Sequence, residues 1–178
     1  RLSPRRGTHY IIDIAKHVLS KHQNTVFLVI GEGTYKETLQ KKLFSENLDK
    51  NVKLLGYIPN KDIVKYYSVS DVFIMPSDED AFPRVLLESM ASGVPFVATN
   101  IGGVSDICSQ KQKLFTVPPK DMKQFSVKII ELLDSIEIRN MLIADGYKRV
   151  NDFVINKALS IFKSKIVNKT LPEFNPFG

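Results

Sequence analysis

One cysteine, Cys108, stands in a chain of 178 residues. An internal disulfide framework is therefore excluded, and the composition fits a reducing compartment. Cys108 itself reads as an incidental small residue. No apolar run approaches the roughly 20 residues that a membrane-crossing helix needs. No secretory leader is expected either: Arg1-Leu2-Ser3-Pro4-Arg5-Arg6 leads into no apolar segment of the required kind. These features point to a cytoplasmic location, with peripheral attachment to the cytoplasmic face of a membrane left open. Metal-ligand spacing is missing, since His9, His17 and His22 fall on one predicted helix without cysteine partners. His17 and His22 read as exposed helix residues. The basic residues are scattered and no recognition-helix or RNA-binding motif accompanies them, so nucleic acid is not an expected partner. There is no internal repeat.

What is present is an ordinary globular composition, 43% hydrophobic and 25% charged. It suggests one domain over residues 1–170, followed by a tail at 171–178 that holds two prolines and two phenylalanines. The net charge of +6 and pI near 9.3 favour anionic partners such as nucleotide phosphates or lipid headgroups. Apolar or β-branched runs predict strands near 25–30, 52–55, 72–75, 95–98 and 114–117. Helical periodicity alternates with them. Ile11, Ile14, Ala15, Val18 and Leu19 form one stripe; Tyr35, Leu39 and Leu43 form another. Residues 62–68 read as a short helix, and Asp121 as the N-cap of a longer one. Ile138, Met141, Leu142 and Val150 pattern a further helix, and a last one is expected to begin at 153–159. Strands alternating with helices predict an α/β fold with a parallel sheet covered on both faces.

The most informative stretch runs from Pro76 to Pro95. Ser77 to Ala81 reads as a loop after an apolar strand. Pro83 can open a helix, where its missing N–H is not needed. Val85, Leu86, Leu87, Met90 and Ala91 follow at helical spacing, and Gly93 and Pro95 end the run. The helix start offers unpaired N–H groups and partial positive charge, which suit a phosphate. In an open parallel sheet the ligand crevice lies beyond the carboxyl ends of the strands, where this loop falls. Asp80 and Glu88 could then accept hydrogen bonds from hydroxyls on either side. Read without that context, the same acids would be solvated or would cap the helix. Gly31-Glu32-Gly33, after the first predicted strand, permits a tight turn or a close ligand approach.

The string Asp80-Ala81-Phe82-Pro83-Arg84-Val85-Leu86-Leu87-Glu88-Ser89-Met90-Ala91-Ser92-Gly93-Val94-Pro95 resembles the donor-site signature of the retaining, GT-B-type glycosyltransferases of family 4, the group 1 glycosyltransferases. Their motif is Glu, seven residues, Glu, commonly followed by Ala-Met-Ala-x-Gly-x-Pro. Asp80 and Glu88 fit that spacing. The first acid is one methylene shorter, about 1.5 Å of reach, and Glu79 stands one place out of register. The family also carries Gly-Arg-Leu-x-x-x-Lys-Gly; here Arg1 matches the first cation and Arg6 stands where Lys is usual. Gly102-Gly103 with Asp106 resembles the family's Gly-Gly-x-x-Glu. The likeness covers residues 1–159 and is most specific over 71–103.

That resemblance implies a Rossmann-like doubly wound parallel sheet, the C-terminal half of a GT-B fold. It implies that the first strand, which lies centrally between the second and fourth, is missing, so a gap is expected there. The donor would be a nucleotide-diphosphate sugar, with no further cofactor and no metal. Arg1, Arg6 and the N–H groups at the start of the Arg84 helix would meet the diphosphate. Glu88 would hold the ribose and Asp80 the sugar. Gly31 and Gly33 would border the cleft, Tyr57 and Ile58 would lie near the base, and Ala81, Phe82, Pro83, Arg84, Val85 and Leu86 would line the remainder. A glycan or lipid-linked acceptor would be held by a missing N-terminal domain. Two other readings remain: a non-catalytic nucleotide-sugar binding module, and a related GT-B enzyme such as a nucleotide-sugar epimerase.

Overall fold

A computed structural model describes residues 1–153 of the chain. The helix expected from 153–159, the domain boundary near 170 and the tail at 171–178 fall outside the described residues. Two 3₁₀ turns, Pro4–Arg6 and Thr8–Tyr10, lead into α1 (Ile11–Leu19), β1 (Phe27–Ile30) and α2 (Lys36–Ser45). Then come β2 (Val52–Gly56), α3 (Asn60–Tyr67), β3 (Phe73–Met75), α4 (Arg84–Ala91) and β4 (Phe96–Thr99). The short helices α5 (Val104–Ile107) and α6 (Gln110–Lys113) precede β5 (Thr116–Val117). Two long helices, α7 (Met122–Asp134) and α8 (Ile136–Val150), run into a last 3₁₀ turn, Asn151–Phe153.

All strand pairs are parallel, and among the described residues they form two sheets, β1–β2 and β3–β4–β5. The break falls between β1 and β3, where the resemblance predicts a gap. What joins the two sheets at their carboxyl ends is the segment before α1. The Leu2 N–H donates to the Glu32 carbonyl beyond β1 at 2.8 Å, and the Asp78 N–H beyond β3 donates to the Arg5 carbonyl at 3.0 Å. Three residues limit the Leu2–Arg5 separation to about 11 Å. One intervening strand would occupy two interstrand spacings, about 9.6 Å. The bridge is therefore short enough to hold the two edges near that spacing.

Two apolar cores flank this layer. Successive residues of a strand face opposite sides, and β4 shows it: Val97 enters one core, Phe96 and Ala98 the other. The first core gathers Ile14 and Val18 of α1, Leu39 and Leu43 of α2, and Phe125, Ile129 and Leu132 of α7. The second places Leu86 and Met90 of α4 with Val104 and Ile107 of α5. Full burial of each such side chain contributes about 1.5–3 kcal/mol. The apolar stripes read from the sequence for α1 and α2 are therefore the faces that pack.

Some elements differ from expectation. The strand expected over 114–117 is only Thr116–Val117. Before it, the Ser109 hydroxyl accepts the Gln112 N–H at 3.2 Å, and the Gln112 side chain accepts the Ser109 N–H at 2.9 Å. This capping box satisfies two donors at once and turns 110–113 into a helix, leaving Leu114 exposed. Helix α3 begins at Asn60 rather than near 62. His9 sits in the 3₁₀ turn before α1, not on the helix. His22 follows α1, is half-buried and places Nε2 3.0 Å from Asp134 Oδ1, tying the end of α1 to the end of α7.

Candidate functional site

The loops after β1 and β3 meet the N-terminal segment at one edge of the sheets, and the loop after β4 packs on the loop after β3. Two glycines make that meeting possible. A Cβ on Gly33 would lie 2.1 Å from the Leu2 carbonyl oxygen, so any side chain would push the segment away. The Tyr35 N–H beyond it donates to the same Leu2 carbonyl at 3.3 Å. On the other side Gly102, at φ 45°, would place a Cβ 1.9 Å from the Asp80 carbonyl. The adjacent Gly103 N–H donates to the Ala81 carbonyl at 3.0 Å. The Gly-Gly pair thus acts as a backbone-to-backbone seat for the acidic loop.

Between these contacts lies a cavity of about 720 Å³, bounded by Arg1, Leu2, Ser3, Arg5, Arg6, Gly33, Thr34 and Glu79. Its size is within the usual range for small-ligand sites, about 300–1,000 Å³. Three guanidinium groups against one carboxylate give it a positive bias, suited to an anion. Arg5 pairs with Glu79 and Arg6 pairs with Asp80. Arg1 has no side-chain partner among the described residues. The loop is also braced from below: the Tyr10 hydroxyl donates to Asp78 at 3.1 Å, and the buried Thr99 hydroxyl donates to the Ser77 carbonyl.

Several residues singled out from the sequence occupy this edge in different ways. Arg1, Arg6 and Gly33 line the cavity, and Asp80 adjoins it through Arg6 without lining it. Asp80 accepts the Arg6 guanidinium on one oxygen and the Phe82 N–H, at 3.3 Å, on the other. Pro83 precedes the first residue of α4, and neither it nor any side chain caps that helix start. Pro83 and Leu86 are buried and Val85 packs against the second core, so these three are structural rather than surface-lining. Ala81, Phe82 and Arg84 are exposed, with the Phe82 ring 6.2 Å from that of Phe153. Gly31 holds φ 131° beside Arg1 and Leu2 but does not line the cavity. Tyr57 is exposed and Ile58 half-buried after β2.

Glu88 lies one turn into α4, exposed and outside the cavity lining. Near it is the buried Tyr67 of α3. The Tyr67 phenol is pushed up, first by burial and then by the Glu88 charge and hydrogen bond. It therefore stays neutral, and its hydroxyl donates to the Val85 carbonyl at 3.4 Å. Leu2, Ser3, Arg5, Thr34 and Glu79 also line the cavity, beyond the site residues singled out from the sequence. Arg5 carried a signal, as half of an Arg-Arg pair, but Glu79 was hidden because motif spacing selects Asp80.

The parallel α/β layer matches the C-terminal, Rossmann-like domain of GT-B glycosyltransferases, and the arginine-rich cavity lies beyond its carboxyl ends. The chain belongs to the family described as Glycosyl transferases group 1, which it matches over residues 1–149. It is 25% identical to the 2-deoxystreptamine N-acetyl-D-glucosaminyltransferase of Niallia circulans over 142 residues, covering 80% of this chain and 36% of that protein. It is similar to a solved C-terminal domain of a group 1 glycosyl transferase, LpcC from Francisella tularensis. There the TM-score is 0.76 at 28% identity, covering 85% of this chain and 80% of that domain. The fold also matches S. aureus TarM, solved with UDP, at a TM-score of 0.79 and 22% identity, over 91% of this chain and 34% of that one. The chain thus spans about a third of the length of the full-length proteins compared here.

Proposed function

We propose that this chain is the donor-binding part of a retaining, family 4 glycosyltransferase that moves a sugar from a nucleoside diphosphate to a hydroxyl. The observation that carries the reading is the three-arginine cavity, lined on its acidic side by Glu79 of the loop that precedes α4. Glycosyl transfer from such a donor leaves a diphosphate, whose growing charge must be met by preorganised cations and N–H groups. Arg1 and Arg6 would meet it, and no metal is called for. The sugar would lie against the acidic loop. Glu88 would take the ribose hydroxyls, supported by its exposure, and the backbone at Tyr57 and Ile58 would border the base.

The acceptor would sit on a further domain outside this chain. A glycan or lipid-linked hydroxyl is proposed, and the net charge of +6 supports peripheral approach to an anionic, cytoplasmic membrane face. With half a cleft, water remains against the diphosphate and weakens every charge interaction there. The 178 residues alone are therefore expected to bind a nucleoside diphosphate weakly and to transfer no sugar. Titration calorimetry with UDP and GDP tests this. One of them should bind, and Arg6→Ala should weaken it about tenfold, the usual loss for a charge-assisted contact. A folded chain that binds neither, or acceptor-dependent turnover by this chain alone, would refute the reading.

A further inference from the structure

Two carboxylates compete for the role of gripping the donor sugar, and their surroundings differ. Asp80 stands at the motif position, yet both its oxygens are engaged, one by Arg6 and one by the Phe82 N–H. Its side chain is only 14% exposed and does not line the cavity. Glu79 lines the cavity, with a side chain 60% exposed. It has one more methylene, about 1.5 Å of added reach. Its only charged partner among the described residues is Arg5, whose own side chain is 77% exposed. The loop backbone is fixed in this register by long-range bonds: the Asp78 and Glu79 N–H groups both donate to the Arg5 carbonyl, at 3.0 and 3.4 Å. Rotating Asp80 into the cavity would leave Arg6 without its partner and the Phe82 N–H without its acceptor. Glu79 needs no such exchange.

We propose that Glu79, oriented by Arg5, is the carboxylate that accepts hydrogen bonds from the donor's sugar hydroxyls, while Asp80 braces Arg6 and the loop. The inference rests on the donor-site reading above and goes further by moving sugar recognition one residue out of the motif register. An ionised carboxylate is acceptor-only and has two oxygens. It can therefore bind two neighbouring hydroxyls of a pyranose while Arg5 fixes its direction. Sugar selectivity then belongs to Glu79, and affinity for the diphosphate belongs to the arginines.

The test uses this chain and two ligand pairs, UDP with UDP-glucose and GDP with GDP-mannose, in titration calorimetry. The quantity read is the ratio of Kd for the nucleotide sugar to Kd for its nucleoside diphosphate. Glu79→Gln should raise that ratio about tenfold, the scale of a lost hydrogen bond to a charged group. The affinity for the nucleoside diphosphate should hold or improve, because Arg5 is released. Asp80→Asn should weaken both ligands together and leave the ratio within about threefold, since Arg6 loses its brace. Melting curves of both variants establish that they remain folded; Glu79 is an exposed loop residue. The proposal is overturned if Asp80→Asn changes the ratio and Glu79→Gln does not. It is equally overturned if Glu79→Gln weakens both ligands alike. Wild-type chain that binds no nucleotide overturns the donor-site reading and this inference with it. Wild-type binding with an unmoved ratio in Glu79→Gln overturns the inference alone.

Discussion

A single added methyl group at Gly33 has nowhere to go, because the atom it meets is the Leu2 backbone oxygen at 2.1 Å. Backbone cannot yield as a flexible side chain does. Gly33→Ala should cost about 1–3 kcal/mol of stability, the usual penalty of overpacking. It should also displace the segment carrying Arg1 and Arg6, so nucleoside diphosphate binding should fall more steeply than stability does. Chemical denaturation and calorimetry on the same preparation separate the two effects. Cys108 gives a second residue-scale expectation. Burial pushes its thiol up to about 12, against the opposing pull of Lys113 and Arg149. The neutral thiol is thus favoured in the fold. Its contribution to stability is complete below the unfolded value, about 8.5, and is lost as pH rises toward the folded one. In the folded chain Cys108 should react with Ellman's reagent at pH 8 far more slowly than in denaturant. Equal rates would mean that the second core is open.

Among the elements, α6 depends most visibly on its cap. Ser109 accepts the Gln112 N–H, and its hydroxyl donates to Asp145 of α8. Ser109→Ala removes both contacts and should lower stability by about 1 kcal/mol or somewhat more, as lost N-caps do. A shift in the urea midpoint with unchanged slope would register it. The same helix explains where legibility in the sequence ends. Four residues carry too little periodicity to announce a helix, so α5 and α6 went unread, although Ser109 and Gln112 have capping-box spacing. Helix α4 was plain because its apolar spacing, Pro83, Gly93 and Pro95 are all local signals. The strand break between β1 and β3 was legible only through resemblance, since no local feature encodes it. Glu79 was illegible as a cavity residue for another reason. Its direction is set by the Arg5 carbonyl, 74 residues away in sequence.

At the scale of the whole molecule, strand pairing grades the layer. β4 is bonded on both sides, whereas β1 and β3 each pair on one side among the described residues. Amide hydrogen exchange should therefore be slowest in β4 and faster along the unpaired edges of β1 and β3. Uniform protection across all three strands would show those edges to be covered in solution. The bridge from Leu2 to Arg5 has a consequence for heat resistance. It fastens both sheets and also walls the cavity, so a ligand seated there touches the only hydrogen-bonded tie described between their carboxyl ends. An occupant that binds only the folded chain stabilises it by about 2.7 kcal/mol at a hundredfold excess over Kd. The melting temperature should thus climb with nucleotide concentration, and the rise should vanish in Gly33→Ala. The donor would then serve as a keystone as well as a substrate, and a cell poor in that nucleotide would hold a softer protein.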